Sequence, residues 1–269
     1  MANIVSIHSF RGGTGKSNLS ANVAVQLALK GYRVGVIDTD IQSPGLHVLF
    51  GMTDATMQKS LNDYLWGRAT IHDAAYPVNQ VVGADSERAF LRDVKLWLIP
   101  SSIRTSEIAR VLREGYDVNL LNDGFNDLIS TLELDFLVID THPGMNEETL
   151  LSVAISNMLI ILLRPDQQDF QGSAVTLDVA RKLDVPNVRL VLNKVPTRFD
   201  SETLKKDVAA TYNAPVIAAL MLSEDVAAAG SNNIFSAVYP DHEWSKTIRV
   251  ITDEIVTTLV GTQGEAAPL

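Results

Sequence analysis

Short apolar runs recur along this chain, each followed by a stretch of helical pattern, and that alternation limits the fold more than any other feature. The runs are Ile4–Ser9, Val34–Ile37, Leu96–Ile99, Phe136–Ile139, Leu159–Leu163, Val188–Leu192 and Val216–Ala219. A strand with one wet face alternates apolar and polar residues, whereas most of these runs are continuously apolar. Such runs mark strands covered on both faces, as in a parallel sheet. Between them, Ser17–Lys30, Thr176–Leu183 and Thr203–Thr211 carry helical periodicity, with Leu19, Val23, Leu27 and Ala28 on one stripe of the first. The pattern predicts an α/β fold with a doubly wound, mostly parallel β-sheet flanked by helices. Two stretches break the rhythm: residues 41–93, with a short helix expected around Ser60–Trp66, and residues 101–133, with two helical segments.

No linker, repeat or low-complexity tract divides the 269 residues, so one domain over 1–269 is expected, with 262–269 as a flexible tail. Cysteine is absent, so the chain alone cannot build a disulfide, a zinc–thiolate site or an iron–sulfur site. The opening Met-Ala-Asn-Ile-Val-Ser-Ile has no basic segment before an apolar one, and an apolar run such as Met158–Leu163 falls far short of the roughly 20 residues a bilayer demands. A cytoplasmic protein is expected. The net charge of −10 disfavours generic attraction to DNA or anionic lipid.

Residues 10–17 read Phe-Arg-Gly-Gly-Thr-Gly-Lys-Ser, between a buried strand and an amphipathic helix. The strict phosphate-loop pattern places glycine where Phe10 stands, but the Gly-Lys-Ser core and two preceding glycines remain. Gly12, Gly13, Thr14 and Gly15 let backbone N–H groups wrap a polyphosphate, and the following helix adds its positive end. Lys16 supplies charge to the β and γ phosphates, and the Ser17 hydroxyl suits Mg²⁺.

On these residues the chain resembles the deviant Walker A ATPases of the MinD/ParA family, whose loop reads Lys-Gly-Gly-x-Gly-Lys-[Ser/Thr]. Arg11 stands in place of the first lysine, which in the family crosses a nucleotide-sandwich dimer to the partner's phosphates. Arginine keeps the charge but is planar and longer. Residues 36–46 resemble the second family motif, which implies that Asp40 orients the attacking water and Asp38 lies near the Mg²⁺ shell. Residues 134–144 resemble the Walker B strand and switch, which implies that Asp140 holds Mg²⁺ through a water. Asn193, in Asn193-Lys194, matches the family residue at the adenine edge, and Leu222-Ser-Glu-Asp resembles the loop over the base without its usual proline. ATP or ADP with Mg²⁺, an ATP-dependent homodimer and a protein adaptor or activator are what the resemblance implies.

The remaining features are weaker. His8, His47, His72, His142 and His242 show no metal-ligand spacing, although His142 lies in the expected switch. The polar run 164–172 suits either a helix cap or a dimer contact. Arg181-Lys182, Lys205-Lys206, Lys246 and Arg249 are the candidates for non-specific DNA contact. The amphipathic segment from Val250 to Val260 has two acids and no late basic residue, so core packing rather than a membrane anchor is expected. The resulting expectation is an ATP-hydrolysing switch that partitions or positions DNA or another cargo. The rivals are an ATP-dependent metabolic enzyme activating a small substrate, as in dethiobiotin-synthetase-like proteins, and a non-hydrolysing nucleotide-bound regulator. Iron–sulfur carriers of the superfamily are disfavoured because they use cysteines.

Overall fold

The structure, a computed structural model, describes residues 2–81 and 92–261, so the expected tail at 262–269 lies outside the described residues. Its centre is a sheet of strands β1 (Asn3–His8), β2 (Val34–Asp38), β3 (Tyr76–Pro77), β4 (Leu96–Ile99), β5 (Phe136–Asp140), β6 (Met158–Leu163), β7 (Val188–Val195) and β8 (Val216–Met221). Their order is β3-β4-β2-β5-β1-β6-β7-β8. Every pairing is parallel except that of the two-residue β3 with β4. Sequence periodicity missed β3, which is too short to show a period of two.

The continuous apolar runs fill two cores at once. In β5, Phe136 and Val138 join the core on one face, and Leu137 and Ile139 join that on the other. In β6, Met158, Ile160 and Leu162 pack with the first core, and Leu159, Ile161 and Leu163 with a third cluster around Leu177 and Val208. Alternate residues therefore point to opposite layers, and both layers are dry.

Helix α1 (Lys16–Leu29) is buried more completely than one apolar stripe predicts, with every residue from Leu19 to Ala28 inside. The reason is a second cover: the helix Glu243–Leu259 and the segment near Ser236 close over the side away from the sheet. The polar members of α1 are accommodated there. Ser236 N donates to Asn22 Oδ1 at 2.8 Å, and Gln26 Nε2 donates to Ser236 Oγ at 3.0 Å.

The helix expected at Thr176–Leu183 begins earlier, at Gln167, because Asp166 Oδ1 caps it by accepting from Gln168 N and Asp169 N. The final helix buries Trp244, Ile248, Ile251 and Ile255, in keeping with core packing. Among the described residues no helix is long and apolar enough to cross a membrane.

This burial gives a direct test. Ile251→Ala is expected to lower unfolding free energy by about 2–5 kcal/mol. Its neighbour Val250 is 53% exposed, and Val250→Ala is expected to change stability by no more than about 0.5 kcal/mol. Urea titrations of the two variants compare them, and equal losses would contradict the packing described.

Candidate functional site

Parallel order brings the carboxyl ends of β1, β2, β5 and β7 together, where ligand crevices form in open α/β sheets. The register then sets the chemistry. Asp38 and Asp140 are direct partners in the β2–β5 ladder, and Asp140 also faces Ile7 of β1, just before the glycine-rich loop. A cleft of about 620 Å³ opens there. Gly12 to Asn18 form one wall, and Met221, Leu222, Val226 and Ala227 form part of another.

The loop needs its glycines. Gly13 and Gly15 sit at φ +78° and +97°, in the left-handed region, and a Cβ on Gly15 would lie 2.6 Å from Asn193 Nδ2. Asn193 is tied to the loop: Nδ2 donates to Thr14 O at 2.7 Å, and Oδ1 accepts from Lys194 N at 2.9 Å. An amide has a second N–H and a second lone pair, so it keeps one of each for another partner. Lys194 Nζ donates to Gly13 O at 2.8 Å. The loop is therefore braced from β7 at two successive carbonyls, and sequence reasoning missed the part of Lys194.

Lys16 lies at the floor of the site, only 6% exposed, and its Nζ donates to Asp140 Oδ1 at 3.0 Å. Asp40 Oδ2 is 4.0 Å from the same ammonium. Asp140 Oδ1 also accepts from Ser20 Oγ at 3.0 Å, while Oδ2 is buried with no hydrogen-bond partner among the described residues. Thr14 Oγ1 is likewise buried and unpartnered. An orphaned carboxylate oxygen is the hard-oxygen chemistry that suits hydrated Mg²⁺, and the Ser17 hydroxyl lies in the lining of the same cleft as Lys16. That ion is commonly held by one or two protein oxygens plus substrate phosphates. Among the described residues no group of three or more His, Asp or Glu forms a metal cage.

Asp38 is fully buried and organises the turn after β2. Its Oδ1 accepts from Asp40 N, and its Oδ2 accepts from Gly45 N and Leu46 N, at 3.0–3.1 Å. Burial, and next the Asp140 carboxylate, push its pKa up to about 7 despite these donors. Asp40 Oδ1 meets His142 Nδ1 at 2.6 Å, a contact between residues 102 positions apart that the sequence does not announce.

Arg11 projects from the loop at 40% exposure, with Nη1 3.6 Å from Asp169 and 3.8 Å from Asp166. Arg164 shares Asp169 through its backbone N and its Nε, each at 3.0 Å. The polar run 164–172 thus serves as both helix cap and counter-ion. Phe10, where the strict pattern has glycine, lies against Gly172, whose added Cβ would come within 2.1 Å of Phe10 Cδ1.

The basic residues considered for DNA contact are spread over several helices and mostly engaged. Arg181 reaches Tyr212 O and Asn213 O, Lys205 pairs with Glu202, Lys246 with Glu243, and Arg249 with Pro240 O.

Comparison with known proteins agrees with this geometry. The family model for ParA, described as NUBPL iron-transfer P-loop NTPases, matches residues 1–256. The ATP-binding protein MJ0547 of Methanocaldococcus jannaschii is 27% identical over 267 residues, covering 99% of this chain and 90% of that one. The cytosolic Fe–S cluster assembly factor cfd1 of Neurospora crassa is 29% identical over 198 residues, covering 71% of this chain and 56% of its own length. The septum site-determining protein MinD of Pyrococcus horikoshii, solved with Mg-ADP, superposes with a TM-score of 0.77 at 19% identity, over 98% of this chain and 100% of that one. That last likeness confirms the expected fold.

His8 supplies a pH test. Burial first, then the Lys16 and His142 charges, lower its pKa from 6.5 to about 3. The folded state keeps this imidazole neutral, whereas the unfolded chain protonates it below about 6.5, so the fold loses stability as pH falls through that window. His8→Gln is expected to flatten the acid limb of unfolding free energy between these two pH values by up to one proton's worth of slope. Identical acid slopes in urea denaturation would show that His8 does not carry the effect.

Proposed function

This chain belongs to the ParA family of P-loop NTPases, and from that premise we propose that it is an Mg-ATP-binding ATPase. In this reading it closes as a homodimer on ATP and works as a nucleotide switch that partitions or positions DNA or another cargo with a protein adaptor or activator. The observation that carries the reading is the buried Lys16 ammonium beside Asp140 and Asp40 beneath a braced glycine loop. Nothing in the apolar core calls for a lysine there, and an incoming polyphosphate gives it a partner.

Each residue has a part. Gly12, Gly13, Thr14 and Gly15 present backbone N–H groups at the positive end of α1, and Lys16 neutralises phosphate charge. Ser17 and Asp140 would hold Mg²⁺, with Asp38 behind them keeping the β2 turn in place. When bound, Mg²⁺ supplies Lewis-acid polarisation of the phosphoryl oxygens. Asp40, whose Oδ2 faces Lys16, aligns water for in-line attack. Asn193 keeps a free N–H and lone pair for the adenine edge, and the walls at Met221, Leu222 and Val226 offer apolar cover to a base. Arg11 leaves Asp166 and Asp169 in the dimer and reaches the partner's nucleotide. The proposed setting is the cytoplasm, in line with the cytosolic assignment in the name of the Neurospora relative.

The family description and the cfd1 relative favour a second reading, in which the nucleotide cycle serves iron–sulfur assembly. Cluster ligation rests on thiolates, and this chain has no cysteine. In that reading a cysteine-bearing partner holds the cluster. Stimulation of turnover by an apo iron–sulfur acceptor, and not by DNA, would select it over partitioning.

The core claim is tested with a pair of variants. Lys16→Ala is expected to weaken Mg-ATP binding about 10- to 100-fold. Asp40→Ala is expected to bind Mg-ATP, to dimerise in light scattering with ATP, and to turn over about 10²- to 10⁴-fold more slowly. Wild-type turnover in Asp40→Ala would remove its water-orienting role. Scattering that shows no change of mass with ATP would remove the dimer. No hydrolysis by the wild type, with or without activators, would leave a nucleotide-bound regulator.

A further inference from the structure

We propose that His142 is a positioning residue for Asp40, fixing the carboxylate so that one oxygen is held and the other faces Lys16 and the cleft. The proposal rests on the reading that Asp40 orients the attacking water, and it names the group that makes that orientation reproducible.

Asp40 needs outside help because it lies past the end of β2, in a turn without regular structure. Its local restraint is Ser43 N, which donates to Oδ1 at 3.2 Å. His142 Nδ1 approaches the same oxygen at 2.6 Å from the loop after β5. A carboxylate can only accept, so Nδ1 carries the hydrogen in this contact. With Oδ1 engaged by two donors, rotation about the carboxylate axis is restrained, and Oδ2 remains on the side of the Lys16 ammonium at 4.0 Å. A carboxylate free to rotate would present either oxygen at varying angles, and small errors of placement are expensive in an in-line reaction.

His142 is itself anchored. Its backbone O accepts from Thr149 Oγ1 at 3.1 Å, and Thr149 N donates to the capping Asn146 Oδ1 at 3.1 Å. The backbone that carries the imidazole is thus tied to the start of the helix Glu147–Ala154, and only 17% of the His142 side chain is exposed. Gly144 N, two residues on, donates to Ser9 O at 3.4 Å, immediately before the glycine-rich loop. The segment that holds Asp40 is therefore also linked to the segment expected to hold phosphate, so His142 can deliver or withdraw the aligned carboxylate as the switch rearranges.

The experiment uses the full chain, with steady-state phosphate release from Mg-ATP and calorimetric titration with Mg-ADP. His142→Ala is expected to lower kcat about 10- to 100-fold, with KM for ATP and Mg-ADP affinity within twofold of wild type. His142→Asn, whose Nδ2 donates from nearly the position of Nδ1, is expected to recover most of that loss. His142→Gln, whose amide sits one carbon farther out, is expected to recover little, and it replaces the alanine variant if that one fails to fold. On the residual turnover of Asp40→Ala, adding His142→Ala is expected to produce no further loss. Wild-type kcat in His142→Ala, losses that multiply in the double variant, or a raised KM with kcat intact would overturn the proposal. If Asp40→Ala is slow and His142→Ala is not, the role of Asp40 stands and only that of His142 falls. If Asp40→Ala turns over normally, both fall together.

Discussion

Three carboxylates and one ammonium meet where β2 and β5 end, in a place the sheet makes nearly dry. Asp40 and Asp140 lie within 4.0 Å of the Lys16 ammonium, and Asp38 is buried beside Asp140 in the ladder, so carboxylates outnumber the cation at this point. Ion pairs taken out of water need good geometry and further hydrogen bonds to offset desolvation. The structure supplies them unevenly. Asp38 is answered by backbone donors and Asp140 by Lys16 and Ser20 at one oxygen, while its second oxygen has no partner among the described residues. Removing one member of such a set typically costs about 3–5 kcal/mol. The rest of the architecture holds this cluster at the rim of the sheet, where a divalent cation and a polyphosphate would complete it.

Rigidity around the cluster is distributed by kind of contact. The glycine-rich loop is held by backbone carbonyls from β7, through Asn193 and Lys194. The turn after β2 is held by the buried side chain of Asp38. The Arg11 guanidinium, by contrast, makes longer charge contacts to Asp166 and Asp169 at a partly exposed site, and such contacts hold a side chain weakly.

Much of this was readable beforehand because local physics dictates it. Strands dry on both faces are largely apolar, and φ near +80° to +100° favours glycine, so β2, β5, β6 and the glycines at 13 and 15 declare themselves. Asp38, Asp40 and Asp140 were singled out by the resemblance to the family motifs, and the carboxyl end of a parallel strand is where a ligand crevice puts a carboxylate to use. What escaped depends on pairings across the fold. The contact of His142 with Asp40 joins positions 102 apart, and Lys194 reaches Gly13 from β7, two strands away from β1 and 181 positions along the chain. The helix beginning at Gln167 starts before its apolar pattern because a cap at Asp166, not periodicity, decides its first turn. The second cover over α1 could not be foreseen from α1 alone, since it is made by residues more than two hundred positions away.

Phe10 and Gly172 carry one more implication. The aromatic ring fills the volume that a side chain at 172 would need, so the two positions form a single steric unit. Over evolutionary time they should not drift separately. Lineages with a small residue at the position of Phe10 have room for bulk at that of Gly172, whereas lineages that keep the ring are confined to glycine. Because position 10 sits beside Arg11 and position 172 one turn beyond Asp169, the same covariation would report on how Arg11 and the carboxylate it faces have been kept in step.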